Sequence, residues 1–248
     1  MKKIVVVNNK GGIGKTTSVQ NISACLARSG KKTLILDLDP QTNLSESFGI
    51  FGVEPNMFHS FSDGEPLNLI PIYDNLTIVP SSIDFAGIEI EIAQKMRREY
   101  ILEKLLKPLE NQFDYCVMDC PPSLGLITIN ALTAGDYVLI PLEAEYLAYR
   151  GLDTIRDLIA NVKTEINNRL LITGVFFTKI KPTLSLTKAI TEEVSKTFGD
   201  TLLKSSIRVN VALAESQSNG KDIFAYDPES NGAIDYKKLV DEIVNRIN

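Results

Sequence analysis

The stretch Asn8-Asn9-Lys10-Gly11-Gly12-Ile13-Gly14-Lys15-Thr16-Thr17 decides the fold. It follows the apolar run Ile4-Val5-Val6-Val7 and precedes an amphipathic segment over 16–28, so it reads as strand, glycine loop and helix. The glycines let successive backbone N–H groups turn inward as an anion nest, and the helix N-terminus adds the positive end of its dipole. In such a cradle Lys10, Gly11, Gly12, Ile13, Gly14, Lys15, Thr16 and Thr17 line the phosphates. Lys15 reaches the β- and γ-phosphates and the Thr16 hydroxyl ligates Mg²⁺. The strict spacing G-x-x-x-x-G-K-[ST] wants glycine at position 9, where this chain has Asn9, with a second lysine, Lys10, beside it.

Two further signals follow apolar runs. Leu36-Asp37-Leu38-Asp39-Pro40-Gln41 ends one run with two carboxylates a residue apart. Asp39 is placed to orient or deprotonate an attacking water near a γ-phosphate, and Asp37 to organise the hydration shell of the metal. Asp119-Cys120-Pro121-Pro122-Ser123 ends another, where a carboxylate holds Mg²⁺, usually through water. Standing alone, either pattern reads as turn chemistry. Three in order, each after an expected strand, form one site.

Around that site, expected strands cover 4–7, 33–38, 76–79, 115–118, 137–142 and 170–177, and expected helices 16–28, 88–107, 124–134, 147–166, 184–198 and 234–247. Their alternation predicts a single α/β domain over 1–248, with a mostly parallel sheet covered by helices on both faces and ligands at the carboxyl ends of its strands. The segment 49–75, interrupted by Pro55, Gly64, Pro66 and Pro71, reads as short helices or loops.

Composition narrows the function classes. The length of 248 residues with 44% hydrophobic residues suffices for one sizeable core. A net charge of −5 leaves any nucleic-acid or membrane contact to a local patch. Cys25, Cys116 and Cys120 form no C-x-x-C pair, which argues against a disulfide framework or a structural zinc site. With no signal-peptide core and no apolar run of membrane-spanning length, the expected location is cytoplasmic.

Together Lys10–Thr17, Asp37–Gln41 and Asp119–Ser123 resemble the ParA/MinD superfamily of deviant Walker ATPases, and more specifically its ParA-type partition proteins. The likeness continues through Asn130-Ala131-Leu132, Pro141-Leu142-Glu143-Ala144-Glu145-Tyr146, Leu213-Ala214-Glu215 and Gly220-Lys221. It implies the P-loop NTPase fold, ATP with Mg²⁺, and a homodimer when ATP is bound, in which Lys10 crosses to the other subunit's phosphates. It further implies nonspecific DNA binding by that dimer, hydrolysis stimulated by a ParB-like or cargo-adaptor partner, and positioning of plasmids, chromosomes or other cargo. From the residues themselves, two P-loop lysines exceed what one triphosphate needs from its own subunit.

The DNA-contacting arginines of many relatives are replaced here by Ile207-Arg208-Val209-Asn210-Val211-Ala212 and Asp227-Pro228-Glu229-Ser230-Asn231-Gly232. That leaves Lys204, Arg208 and Lys221 as the first candidates for DNA contact, with Lys237, Lys238, Lys179, Lys181 and Lys188 behind them. The first strand starts at Ile4, so no N-terminal helix-turn-helix extension is expected. A MinD-like membrane cycle needs an amphipathic helix beyond the fold, whereas 234–247 reads as the closing helix. An iron-protein-like electron carrier needs paired cluster cysteines, which the three here do not match. A non-hydrolysing nucleotide switch would not need both Lys15 and Asp39.

Overall fold

The computed structural model describes residues 1–143, 152–181 and 185–248, with 185–189 as backbone only. The segment Ala144-Glu145-Tyr146, the start of the helix expected from 147 and the side chain of Lys188 lie outside the described residues.

Seven strands make one sheet: β1 (Lys2–Val6), β2 (Thr33–Asp37), β3 (Ile70–Tyr73), β4 (Leu76–Val79), β5 (Tyr115–Asp119), β6 (Tyr137–Glu143) and β7 (Leu171–Thr178). Their order is β3-β4-β2-β5-β1-β6-β7, parallel throughout except for the antiparallel pair β3 and β4. Successive residues of a strand face opposite sides. Val5, Leu34, Leu36, Cys116, Met118, Val138 and Ile140 therefore build one core, and Ile4, Val6, Ile35, Val117 and Leu139 the other. Burial on both faces is why these strands read as unbroken apolar runs.

Helices α1 (Lys15–Arg28), α2 (Asn43–Glu46), α3 (Met57–Ser62), α4 (Ile88–Ile92), α5 (Ile101–Leu106), α6 (Leu126–Ala134), α7 (Leu152–Glu165), α8 (Ser185–Phe198), α9 (Val211–Ser218), α10 (Ile223–Tyr226) and α11 (Asn231–Ile247) cover the sheet. Val19, Ile22 and Leu26 of α1 share one core with Tyr236, Leu239, Val240 and Ile243 of α11, while α5, α6 and α7 close the other.

Three expectations are corrected. The helix expected over 88–107 is broken into α4 and α5, because the run Gln94–Glu99, polar but for an exposed Met96, buries no side chain and Arg97 takes a left-handed φ of 55°. The segment 49–75 contains not only α3 but an edge strand, β3. Pro71 is tolerated there because an edge strand has one row of N–H groups with no ladder to join. Beyond β7, α9 and α10 arise where no helix was expected, each with a side-chain N-cap: Asn210 accepts from the Ala212 N–H, and Asp222 from those of Phe224 and Ala225. Among the described residues, no helix is long and apolar enough to cross a membrane.

Candidate nucleotide site

The strand order places the carboxyl ends of β2, β5, β1, β6 and β7 side by side, and each contributes to one cleft or its rim. Asp37 stands opposite Asp119 in the register of β2 and β5, Val6 opposite Asp119 in that of β1 and β5, and Glu143 opposite Thr178 in that of β6 and β7. The cleft of about 860 Å³ is lined by Gly11, Gly12, Gly14, Lys15, Thr16 and Thr17 on one side and by Arg208, Val209, Asn210 and Gln217 on the other. That size suits a nucleotide.

The glycine loop is held by its own polar groups. The Asn8 amide donates to the Pro141 carbonyl at 2.8 Å, and its oxygen accepts from the Lys10 N–H at 3.0 Å. Asn9, at the position where the strict pattern has glycine, is half-buried beside this brace. Gly12 and Gly14 have φ of 75° and 85°, in the left-handed region that a side chain would strain. Buried Ile13 anchors the loop from below, and its carbonyl accepts from the Thr178 hydroxyl at 2.7 Å. Gly14 is the N-cap of α1 and supplies no side-chain acceptor, and no acidic residue sits in the first turn. The opening amides of α1 are thus left to a ligand.

Within the loop, the Lys15 ammonium donates to the Lys10 carbonyl at 3.1 Å. Burial pulls its pKa down, opposed by the charges of Asp119, Cys120 and Asp39. Asp119 is fully buried and is pushed well above the carboxylate range by that burial and then by Asp37, against the pull of the Thr16 hydroxyl and Lys15. Thr16 Oγ1 donates to Asp119 Oδ2 at 2.7 Å, while Asp119 Oδ1 is buried with no hydrogen-bond partner. Two hard oxygen ligands side by side, one of them orphaned, fit a divalent cation shared with phosphate oxygens. Among the described residues, no three His, Cys, Asp or Glu side chains form a metal cage of their own, and a cation held partly by phosphates needs none.

Asp39 lines the cleft and is 8% exposed; its Oδ1 accepts from the Gln41 N–H at 3.0 Å. Asp37 lies behind it. Its Oδ2 accepts from the Ser45 N–H at 2.9 Å and hydroxyl at 2.6 Å, and its Oδ1 from the Asp39 N–H at 3.2 Å. Burial, only partly offset by these donors, raises its pKa to about 7. Three protein donors already occupy the oxygens that the sequence reading assigned to the hydration shell of a metal.

Several residues of the site were not singled out from sequence for it. Thr178 bonds the carbonyls of Ile13 and Leu142 and so ties β7 to the loop. Lys179, grouped above with the DNA candidates, donates to the Gly12 carbonyl and pairs with Glu143 at 2.7 Å. The rule that ligands gather after strands applied equally to β6 and β7 and was the signal available for both. Arg208 is bound bidentately by Asp235, Nε to Oδ2 at 2.8 Å and Nη2 to Oδ1 at 2.7 Å, so its charge is met within the chain. Lys204 and Lys221 are exposed, the first beside Glu242 of α11, the second beside Gln20 of α1.

A glycine loop before α1, a buried carboxylate bonded to Thr16 through one oxygen and unpartnered at the other, and an aspartate just beyond β2 define a P-loop nucleotide hydrolase. A sequence-family model described as "AAA domain" matches residues 1–172. The chain is 41% identical over 247 residues to the sporulation initiation inhibitor protein Soj of Bacillus subtilis, covering 98% of each chain. It is 39% identical to the chromosome-partitioning ATPase Soj of Treponema pallidum, covering 99% of this chain and 98% of that one. Among solved structures, cobyrinic acid a,c-diamide synthase from Mycobacterium smegmatis with bound ATP analog and magnesium superposes with a TM-score of 0.88 at 29% identity, covering 99% of this chain and 95% of that one. The chain belongs to the Soj/ParA family of partitioning ATPases.

Proposed function

We propose that this chain is an ATP hydrolase that dimerises when loaded with ATP and positions DNA or other cargo. ATP occupies the cleft with its phosphates on the Lys10–Thr17 loop. Thr16 Oγ1 and Asp119 would hold Mg²⁺, which when bound would supply charge neutralisation to the phosphates. Lys15 draws charge from the β- and γ-phosphates, and Asp39 orients the attacking water. Asp37 acts from behind, holding the backbone of Asp39 and, through Ser45, the start of α2. Named relatives that partition chromosomes support the cargo assignment. The accompanying partners are a ParB-like or adaptor protein that speeds hydrolysis and nonspecific DNA met by exposed lysines such as Lys204 and Lys221.

The single observation that carries the dimer is the disposition of the two lysines. Lys15 is buried and already faces the phosphate seat, whereas the Lys10 side chain is 39% exposed at the rim of the same loop. Within the chain the Lys10 ammonium already meets the Glu143 carboxylate at 3.9 Å, and a second subunit's triphosphate would offer it a larger negative charge. In an Asp39→Ala background that suppresses turnover, Lys10→Ala binds ATP near normally and stays monomeric in light scattering. A Lys10→Ala dimer as stable as its Lys10 parent overturns the cross-subunit role.

A further inference from the structure

Glu143 ends β6 at the rim of the phosphate loop, where a carboxylate is out of place. Its side chain is only 14% exposed, so solvent does little to screen it. A triphosphate seated on the loop would bring like charge towards it. Among the described residues two cations meet it: Lys179 Nζ lies 2.7 Å from Oε1 and Lys10 Nζ 3.9 Å from Oε2. The two contacts are unequal. Lys179 is also bonded to the Gly12 carbonyl, and its backbone takes a left-handed φ of 51°, so it is fixed at both ends. The Lys10 ammonium is held at the longer distance from the mobile end of an unbranched side chain.

We propose that Glu143 is a positioning residue that holds Lys10 against its own subunit in the nucleotide-free chain, with Lys179 as the permanent partner of the carboxylate. The inference rests on the cross-subunit role given to Lys10 above. A partner subunit's triphosphate competes with Glu143 for the Lys10 ammonium. When Lys10 leaves, Glu143 keeps Lys179, so no uncompensated carboxylate remains beside the phosphates. Glu143 thereby sets the ATP concentration at which dimers form, and Lys179 weakens its hold on Lys10 by sharing the charge. No bond is made or broken in this exchange; only ion pairs are traded.

The test is the ATP concentration giving half-maximal dimer, read by light scattering in the Asp39→Ala background for three proteins: the parent, Glu143→Gln and Lys179→Met. Glu143→Gln keeps shape and removes charge, so its threshold falls by about threefold or more. In a Lys10→Ala background the same change leaves ATP affinity where it was; an affinity gain there would mean that Glu143 acts on the phosphates directly and overturn the hold on Lys10. Lys179→Met leaves Glu143 with Lys10 as its one cation among the described residues, and its threshold rises. A merely structural contribution to the loop would move both variants in the same direction and lower the Tm of the nucleotide-free protein with them. A Glu143→Gln threshold equal to or above the parent's, or a Lys179→Met threshold that falls, overturns the proposal. The Lys10→Ala protein separates the two levels. If Lys10→Ala is monomeric while Glu143→Gln behaves as the parent, the hold on Lys10 is refuted and the dimer reading stands; if Lys10→Ala dimerises normally, both fall.

Discussion

The two walls of the cleft are built on different principles. The phosphate wall consists of residues at or beyond the carboxyl ends of β1, β2 and β5 and at the start of α1, and its polar groups are left partly unmet: bare amides at the start of α1 and the orphaned Oδ1 of Asp119. The other wall, from Arg208 to Gln217, is carried by a connection and by α9, and its polar groups are met within the protein: Asp235 takes both forks of Arg208, Asn210 caps α9, and Gln217 accepts from the Thr17 hydroxyl at 3.3 Å. One wall waits for a ligand and the other is finished without one. Changes to the first should therefore abolish chemistry at little cost in fold, and changes to the second should cost fold before chemistry.

The largest effect tests the first wall at its centre. Lys15→Ala should weaken Mg·ATP binding by roughly 100-fold, about 3 kcal/mol, while thermal unfolding without nucleotide stays near the parental midpoint. Titration calorimetry with unchanged affinity would remove the loop from the site. Next, Asp39→Ala should slow hydrolysis by roughly 100-fold or more with ATP affinity retained, since only the group acting on water is lost. A single-turnover rate equal to the parent's would reassign the role.

The second wall should respond the other way. Asp235→Ala strips three donors of their acceptor, those of the Arg208 side chain and the Arg208 N–H, and should lower stability by about 2 kcal/mol, or roughly 4–8 °C in Tm. Its turnover at saturating ATP should stay at the parental level; a collapse in turnover with an unchanged Tm would erase the distinction between the walls.

A pH titration sharpens it further. Burial raises Asp37 from 3.8 to about 7, so the folded state favours the protonated carboxyl. Its contribution to stability is complete below the unfolded pKa and is lost as pH rises through about 7. Asp37→Asn, neutral at every pH, should flatten the fall in Tm of the nucleotide-free protein between pH 4 and pH 7, and an undiminished slope in that variant would place the effect elsewhere. The smallest effect concerns the exposed lysines. Lys221→Ala should reduce the salt slope of DNA retention by about one without altering hydrolysis, and an unchanged slope would take Lys221 off the DNA-facing surface.

The same contrast governs what the sequence disclosed. Lys15, Thr16, Asp39 and Asp119 were legible because each is tied to the carboxyl end of a strand, a local relation that apolar runs and glycines reveal. Lys179 and Arg208 were visible only as basic residues. Their partners, Glu143 and Asp235, are 36 and 27 positions away along the chain, and nothing local reports such pairings. The six expected strands appeared close to their places because burial on both faces writes itself as an apolar run. β3 carries no such run, being half-buried at the sheet edge and containing Pro71. The break between α4 and α5 depends on a left-handed Arg97 that composition does not announce.

Gly14 carries a last consequence. A Ser or Asp at the start of a helix is commonly worth about 1 kcal/mol as a cap, and α1, the helix at the centre of one core, begins without it. A phosphate bound on the loop would serve as its cap. Nucleotide supply and the integrity of the first turn of α1 would then be a single equilibrium: as ATP runs down, amide exchange should quicken first over the loop and the opening of α1. The emptied protein would then offer proteases and quality control a signal of its own idleness.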